Sequence, residues 1–212
     1  MLNAFGLDAS IIENKFTGLK SDIQLVLFLQ ETDCSHCRDL RFLVEKIASI
    51  THKIKTETYN FAINKEIANQ YKIKRIPAVA LIGEKDYGIR YYSSPEGPEL
   101  YNFLDDIVEV SQGEAKLSEK SKERLKELKS IINLEYFISP TCPFSWPGEK
   151  TLLRLAMASD LINLDIINVT DFREVAEKYN VRGIPMTVVN GKGEFYGALK
   201  EEDFVNIIIE NE

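Results

Sequence analysis

Gln24-Leu25-Val26-Leu27-Phe28-Leu29-Gln30 is an apolar run that leads through Glu31-Thr32-Asp33 into Cys34-Ser35-His36-Cys37. The same layout returns further along, where Leu134-Glu135-Tyr136-Phe137-Ile138 leads through Ser139-Pro140-Thr141 into Cys142-Pro143-Phe144-Ser145. The offset is 108 residues, and it holds well past the cysteines: Ile67-Ala68 falls on Val175-Ala176, Tyr71 on Tyr179, Ile73 on Val181, Lys74 on Arg182, Ile76-Pro77 on Ile184-Pro185 and Gly83 on Gly191. In both halves 43 residues separate the first cysteine from the proline. A register that keeps cysteine, aromatic, branched, basic, proline and glycine positions together argues for two copies of one unit. The chain divides accordingly into 1–112 and 113–212.

Each copy reads as strand, helix, strand, helix, two strands and a helix, an α/β unit with a mixed sheet of about four strands flanked by helices. The first strands are Gln24 to Gln30 and Leu134 to Ile138, short apolar runs suited to a buried sheet. Helices from about Cys37 to Ser49 and Pro147 to Ser159 present Leu40, Leu43, Val44 and Ile47, and Leu152, Leu155 and Ala156, at three- and four-residue spacing. Crossovers make the next strands, Ile54 to Asn60 and Leu164 to Val169, parallel to the first. Short helices at Ile67 to Tyr71 and Asp171 to Tyr179 come before strands Ala78 to Ile82 and Met186 to Val189. Glu84-Lys85-Asp86 and Asn190 to Gly193 read as hairpin turns. Pro77 and Pro185 sit at strand starts, where a missing N–H costs no ladder bond. Leu100 to Val110 and Asp203 to Ile209 close the units. In the connecting stretch, Leu117, Leu125, Leu128 and Ile132 after Ser118 predict a capped helix opening the second unit.

With 212 residues, 44% hydrophobic and 28% charged, the chain can bury a core, which excludes disorder over its whole length. A formal charge of −7 repels polyphosphate, so nucleic acid is not an expected partner. Polar residues interrupt Met1 to Lys20, and no apolar run reaches membrane-spanning length, so no membrane partner is expected. A cytoplasmic location follows as the expectation. Three cysteines cannot build a disulfide framework of the secreted kind, and each needs its own explanation.

Cys34 and Cys37 follow a strand and open a helix, the setting of a redox dithiol. The unpaired N–H groups and positive dipole end of a helix lower the pKa of Cys34 and favour its nucleophilic thiolate. Two-residue spacing lets Cys37 resolve the mixed disulfide that Cys34 forms with a substrate, and the reverse sequence oxidises substrates. An imidazolium at His36 would favour the same thiolate, while Glu31 and Asp33 oppose it. That balance predicts a potential between about −270 mV and about −120 mV. CxxC is also half of a zinc site, but only Cys142, His36 and His52 remain as soft ligands, without metal spacing. We expect no metal and no cofactor beyond the Cys34–Cys37 disulfide.

In the second loop Ser145 replaces the resolving thiol, leaving Cys142 either as an accessory thiol able to form a mixed disulfide or as a buried, silent residue. Trp146-Pro147-Gly148 marks an unusual helix start. Both Ile-Pro bonds are candidates for the cis form, which would aim the backbone before each proline at the cysteine loop. Ile76, Pro77, Ile184 and Pro185 are therefore candidate substrate-binding residues that pair with an extended peptide as a sheet edge does. Arg75, with Gly183 at its place in the second unit, is either a cation beside this groove or a solvated surface residue.

Taken together, Cys34-Ser35-His36-Cys37 with Ile76-Pro77, Cys142-Pro143-Phe144-Ser145 with Ile184-Pro185, and the Gly88-Ile89-Arg90-Tyr91-Tyr92 segment with its following helix resemble the tandem-thioredoxin protein disulfide oxidoreductases. These are glutaredoxin-like proteins of thermophilic archaea and bacteria. The resemblance covers nearly the whole chain and implies two tandem thioredoxin-like units and a cytosolic thiol–disulfide oxidoreductase acting on protein disulfides. It further implies reduction by a thioredoxin-reductase-like flavoenzyme. Members commonly carry Cys-Pro-Tyr-Cys in the second unit, from which Phe144 and Ser145 depart. Two alternatives stand beside it: a peptide-binding adaptor or chaperone-like module, and an electron relay to a peroxidase.

Overall fold

The computed structural model describes residues 9–212, which form two compact units that part between Gly113 and Glu114, with Tyr87–Ile89 counting with the second. The first contains α1 (Ala9–Phe16), β1 (Ile23–Leu29), α2 (Cys37–Ala48), β2 (Ile54–Asn60), α3 (Lys65–Gln70), β3 (Ala78–Ile82), all of β4 (Ile89–Tyr92) but its first residue, and α4 (Gly97–Ser111). Its strands lie in the order β2-β1-β3-β4. β1 runs parallel to β2, with Leu25 opposite Thr56, and antiparallel to β3, with Val26 opposite Ala80.

β1 is the central strand, buried along its length except at Gln24, which is why it reads as an unbroken apolar run rather than an alternating one. β2 exposes Lys55, Thr56, Glu57 and Thr58 and ends the sheet, where charged side chains deter pairing with another chain. α2 and α4 both pack on β1. Leu40, Leu43, Val44 and Ile47 of α2, and Leu100, Phe103, Leu104 and Ile107 of α4, are buried there. Each such side chain contributes about 1.5–3 kcal/mol relative to its exposed state.

The second unit repeats the plan with α5 (Glu119–Leu125), β5 (Ile132–Ile138), α6 (Ser145–Ala158), β6 (Ile162–Asn168), α7 (Arg173–Lys178), β7 (Met186–Val189), β8 (Gly193–Tyr196) and α8 (Glu201–Glu210), its strands ordered β6-β5-β7-β8. β5 is parallel to β6 and antiparallel to β7. Ser118 caps α5, its Oγ accepting the Ser121 N–H at 3.1 Å. Ser118 Oγ also donates to Glu201 at 2.7 Å, tying α5 to α8.

The structure departs from the sequence reading in three places. α1 has no counterpart in that reading; Ile12 and Phe16, one turn apart, bury its inner face. Asp86 lies in the turn between β3 and β4 as read, but it has a partner that reading did not give it, pairing in bidentate fashion with the buried Arg90, Nη1 to Oδ1 at 2.8 Å and Nη2 to Oδ2 at 2.6 Å. α6 starts at Ser145, before Pro147, since a proline in the first helical turn forfeits only an N–H that has no intrahelical partner anyway.

Candidate functional site

β1 delivers the chain into a loop in which Asp33 takes a left-handed conformation at φ 57°. The helix α2 then begins at the second cysteine, with His36 in the capping position and its carbonyl accepting the Leu40 N–H at 3.0 Å. Cys34 and Cys37 are joined by a disulfide, S–S 1.98 Å with Cα atoms 5.5 Å apart. The two sulfurs differ in surroundings. Cys34 is half-buried, whereas Cys37 is only 4% exposed and its Sγ accepts the Gln30 N–H at 3.3 Å. An incoming group therefore meets Cys34 first.

A cleft of about 240 Å³ opens on the pair, lined by Gln30, Glu31, Cys34, Cys37, Arg38 and Arg41. Arg38 and Arg41 are exposed and form no ion pair among the described residues. Sequence reading missed both. The available signal was helical phase: with α2 starting at Cys37, Arg41 lies one turn beyond that cysteine on the same side. Two cations beside the sulfur favour a thiolate and a negatively charged partner.

In the second unit Cys142 is half-buried and its thiol donates toward the Ile184 carbonyl at 3.7 Å. This is a link between the cysteine loop and the residue before the proline. Both Ile76-Pro77 and Ile184-Pro185 are cis, with the prolines buried and the isoleucines half-buried. Arg75 is half-buried over the ring of Tyr92, 4.9 Å from its centroid, a stacked cation rather than a solvated side chain.

The odd helix start acquires a steric reason. Tyr136, at the place of Phe28 in the first unit, donates from its hydroxyl to the Ser145 carbonyl at 2.7 Å. Burial, followed by the nearby Glu149 carboxylate, pushes its pKa above the ordinary value, so the hydroxyl stays a donor. A Cβ on Gly148 would drive into that hydroxyl. In the first unit, where Phe28 lacks the hydroxyl, the matching position is Leu40. Ser145 is fully buried and its Oγ has no partner, while Phe144 is 70% exposed. Among the described residues no three His, Cys, Asp or Glu side chains come together as a metal site requires, and no helix is long and apolar enough to cross a membrane.

The thioredoxin model matches residues 12–106 and a second thioredoxin-domain model matches 133–210. The fold is similar to that of AhpF, an alkylhydroperoxide reductase protein of Enterococcus faecalis, with TM-score 0.86 and 19% identity over 94% of this chain and 96% of that one. It is also similar to a protein disulfide oxidoreductase from Aeropyrum pernix, with TM-score 0.84 and 22% identity over 97% of this chain and 94% of that one. Among curated proteins, a Bacillus subtilis NADH dehydrogenase is 23% identical over 88% of this chain, which spans 34% of that protein's length. A Methanocaldococcus jannaschii thioredoxin is 31% identical over 80 residues, 37% of this chain and 94% of that protein. Thioredoxin models on both halves, and an archaeal thioredoxin matched almost end to end, show that the chain belongs to the thioredoxin family as a tandem of two such units.

Proposed function

We propose that the protein is a thiol–disulfide oxidoreductase that exchanges disulfides with protein substrates through Cys34 and Cys37. The observation that carries this reading is the asymmetry of the pair, one sulfur half open at the mouth of a cleft and its partner sealed behind it. Starting from the disulfide, a substrate thiolate attacks Cys34 Sγ, the S–S bond breaks, and the electron pair leaves on Cys37. The Gln30 N–H, 3.3 Å away, stabilises that developing charge. A second substrate thiolate then attacks the substrate sulfur of the mixed disulfide, a substrate disulfide leaves, and Cys34 departs as thiolate. Both cysteines end reduced, and the substrate has lost two electrons. The reverse order reduces a substrate disulfide.

His36, Arg38 and Arg41 hold cationic or polar groups around the Cys34 thiolate, and the backbone of Ile76, ahead of Pro77, takes an extended substrate segment. No group other than the dithiol carries the electrons, and the work belongs to a reducing compartment, the cytoplasm. The likeness to an alkylhydroperoxide reductase protein and to a curated NADH dehydrogenase supports one physiological form of this exchange. In it a flavoenzyme reduces the pair and a peroxidase is among the acceptors.

Insulin reduction driven by dithiothreitol tests the reading. Cys34→Ser abolishes turnover, Cys142→Ser retains it, and Cys37→Ser accumulates a mixed disulfide with substrate. Full activity without Cys34 would overturn the assignment. Undiminished client binding in a chain lacking both thiols, together with no reductase activity in the native chain, would make the protein an adaptor instead.

A further inference from the structure

The cleft that opens on the dithiol is lined by charges of both signs. Glu31 precedes Cys34 in the chain, whereas Arg38 and Arg41 follow Cys37 on α2. Both arginines are exposed, and neither has a side-chain hydrogen bond or ion pair among the described residues, although Asp39 and Glu45 belong to the same helix. Each works against the helix that carries it. Arg38 lies in the first turn, where a cation faces the positive end of the helix dipole. Arg41 sets a second cation three residues on, and like charges at neighbouring positions on a helix face repel.

The repeat supplies a comparison. Trp146 and Glu149 take the matching positions in the second unit, and Glu149 is 1% exposed, so a buried carboxylate stands where the first unit presents an open guanidinium. A helix of this kind therefore starts behind a cysteine loop without a cation at either position. The two arginines go with the redox-active pair and not with the demands of the repeat. Their Cα atoms are separated by about 4.5 Å of helix rise, and each carries a planar fork of donors that fits a carboxylate. Against the single carboxylate of Glu31 they leave the lining with a local excess of positive charge, in a chain whose formal charge is −7.

We propose that Arg38 and Arg41 are specificity-determining residues, and that the protein substrates of the Cys34–Cys37 pair carry acidic residues beside the cysteine that Cys34 attacks. This rests on the thiol–disulfide reading and adds to it the class of substrate. In the reducing direction the Cys34 thiolate attacks one substrate sulfur, a Cys34–substrate disulfide forms, and the substrate S–S bond breaks. Its electron pair leaves on the other substrate sulfur, which takes up a proton. Arg38 and Arg41 hold the flanking carboxylates while the new bond forms. The Cys37 thiolate then attacks Cys34 Sγ, the first substrate sulfur leaves and is protonated, and the Cys34–Cys37 bond closes. The substrate has gained two electrons and the dithiol has lost them. Arg41 lies one helical turn beyond Cys37, and an extended segment advances about 3.3 Å per residue, so the acidic residues fall within about two positions of the substrate cysteine.

The experiment uses the full reduced chain carrying Cys142→Ser, so that every reaction read belongs to the dithiol. Three short peptides, with Glu, Gln or Lys on both sides of a single cysteine, are presented as 2-pyridyl mixed disulfides, and stopped-flow absorbance of the released 2-thiopyridone gives the rate of attack. Each rate is divided by that of the neutral thiol 2-mercaptoethanol with the same probe, which removes differences in intrinsic reactivity. The thiolate fraction of Cys34 cancels in the ratio between probes. At about 0.1 M salt, where charges further than about 10 Å away are screened, the Glu peptide reacts about tenfold faster than the Lys peptide, with Gln between them. Arg38→Gln with Arg41→Gln brings that ratio to near one, Arg38→Glu with Arg41→Glu reverses it, and Glu31→Gln raises it. Equal rates in the native cleft, or a preference that survives the Gln pair, would overturn the specificity and leave the exchange reading standing. Release from none of the probes would overturn both. Faster reaction of the 2-pyridyl mixed disulfide of glutathione than of the Glu peptide, normalised in the same way, would overturn the protein substrate class in favour of a small carboxylate-bearing thiol.

Discussion

The clash between position 148 and the Tyr136 hydroxyl gives a double-mutant test of how the second helix start is built. Gly148→Ala gains about 1 kcal/mol of helix propensity, since glycine is the poorer helix former. Against this the new methyl meets the end of a rigid, fully buried ring that cannot swing aside. Overpacking costs about 1–3 kcal/mol, and displacing the hydroxyl from the Ser145 carbonyl costs about 1–3 kcal/mol more. The net expectation is a loss of about 2 kcal/mol. Tyr136→Phe alone loses about 1 kcal/mol with its hydrogen bond. The double variant removes the obstacle together with the hydroxyl, so it is more stable than Gly148→Ala alone, as the Phe28 and Leu40 pair of the first unit already illustrates. Urea unfolding of the full chain, followed through the fluorescence of the sole tryptophan, Trp146, reads the second unit directly. A double variant no more stable than Gly148→Ala, or a single variant within about 0.5 kcal/mol of the native chain, would refute the steric argument.

Two other perturbations follow from the electrostatics. Replacing Arg38 and Arg41 together by Gln slows iodoacetamide alkylation of Cys34 in the reduced protein at pH 6 by about threefold, because two exposed cations no longer favour the thiolate; equal rates would remove both from the site. Although burial pushes the Glu201 carboxyl upward, hydrogen bonds from Ser121 and Ser118 and the charge of Arg154 hold it, on balance, below its ordinary value. A carboxylate depressed on folding stabilises above its unfolded pKa and loses that contribution as pH falls through the lower, folded one. Ser118→Ala removes both the cap and a Glu201 hydrogen bond. It costs about 1 kcal/mol near neutral pH and less in strong acid, measured by urea titrations at several pH values.

Much of this was legible because the decisive residues speak locally. The Cys34–Cys37 spacing, the two Ile-Pro pairs and the apolar runs before each cysteine need no partner to be recognised, and their repetition supplied the topology. What could not be read depends on residues meeting from afar. Gly148 carries no sign that a tyrosine from β5 will stand over it. Asp86 looks like turn chemistry until Arg90 folds back onto it, 2.6 Å away. α1 is only two turns long, and its Ile12 and Phe16 become informative once there is a core for them to enter. Arg38 and Arg41 were in plain view, but their relation to the disulfide required the phase of α2, which begins at Cys37 rather than before it.

The sealed position of Cys37 also decides how each half of the molecule ages under peroxide. A sulfenic acid formed on the outer sulfur of the first unit stands within bonding reach of an inner thiol, so condensation to a disulfide competes with a second oxygenation and the damage is repaired by ordinary reduction. Cys142 has only a hydroxyl three residues on, and its loop holds no such insurance against sulfinic acid.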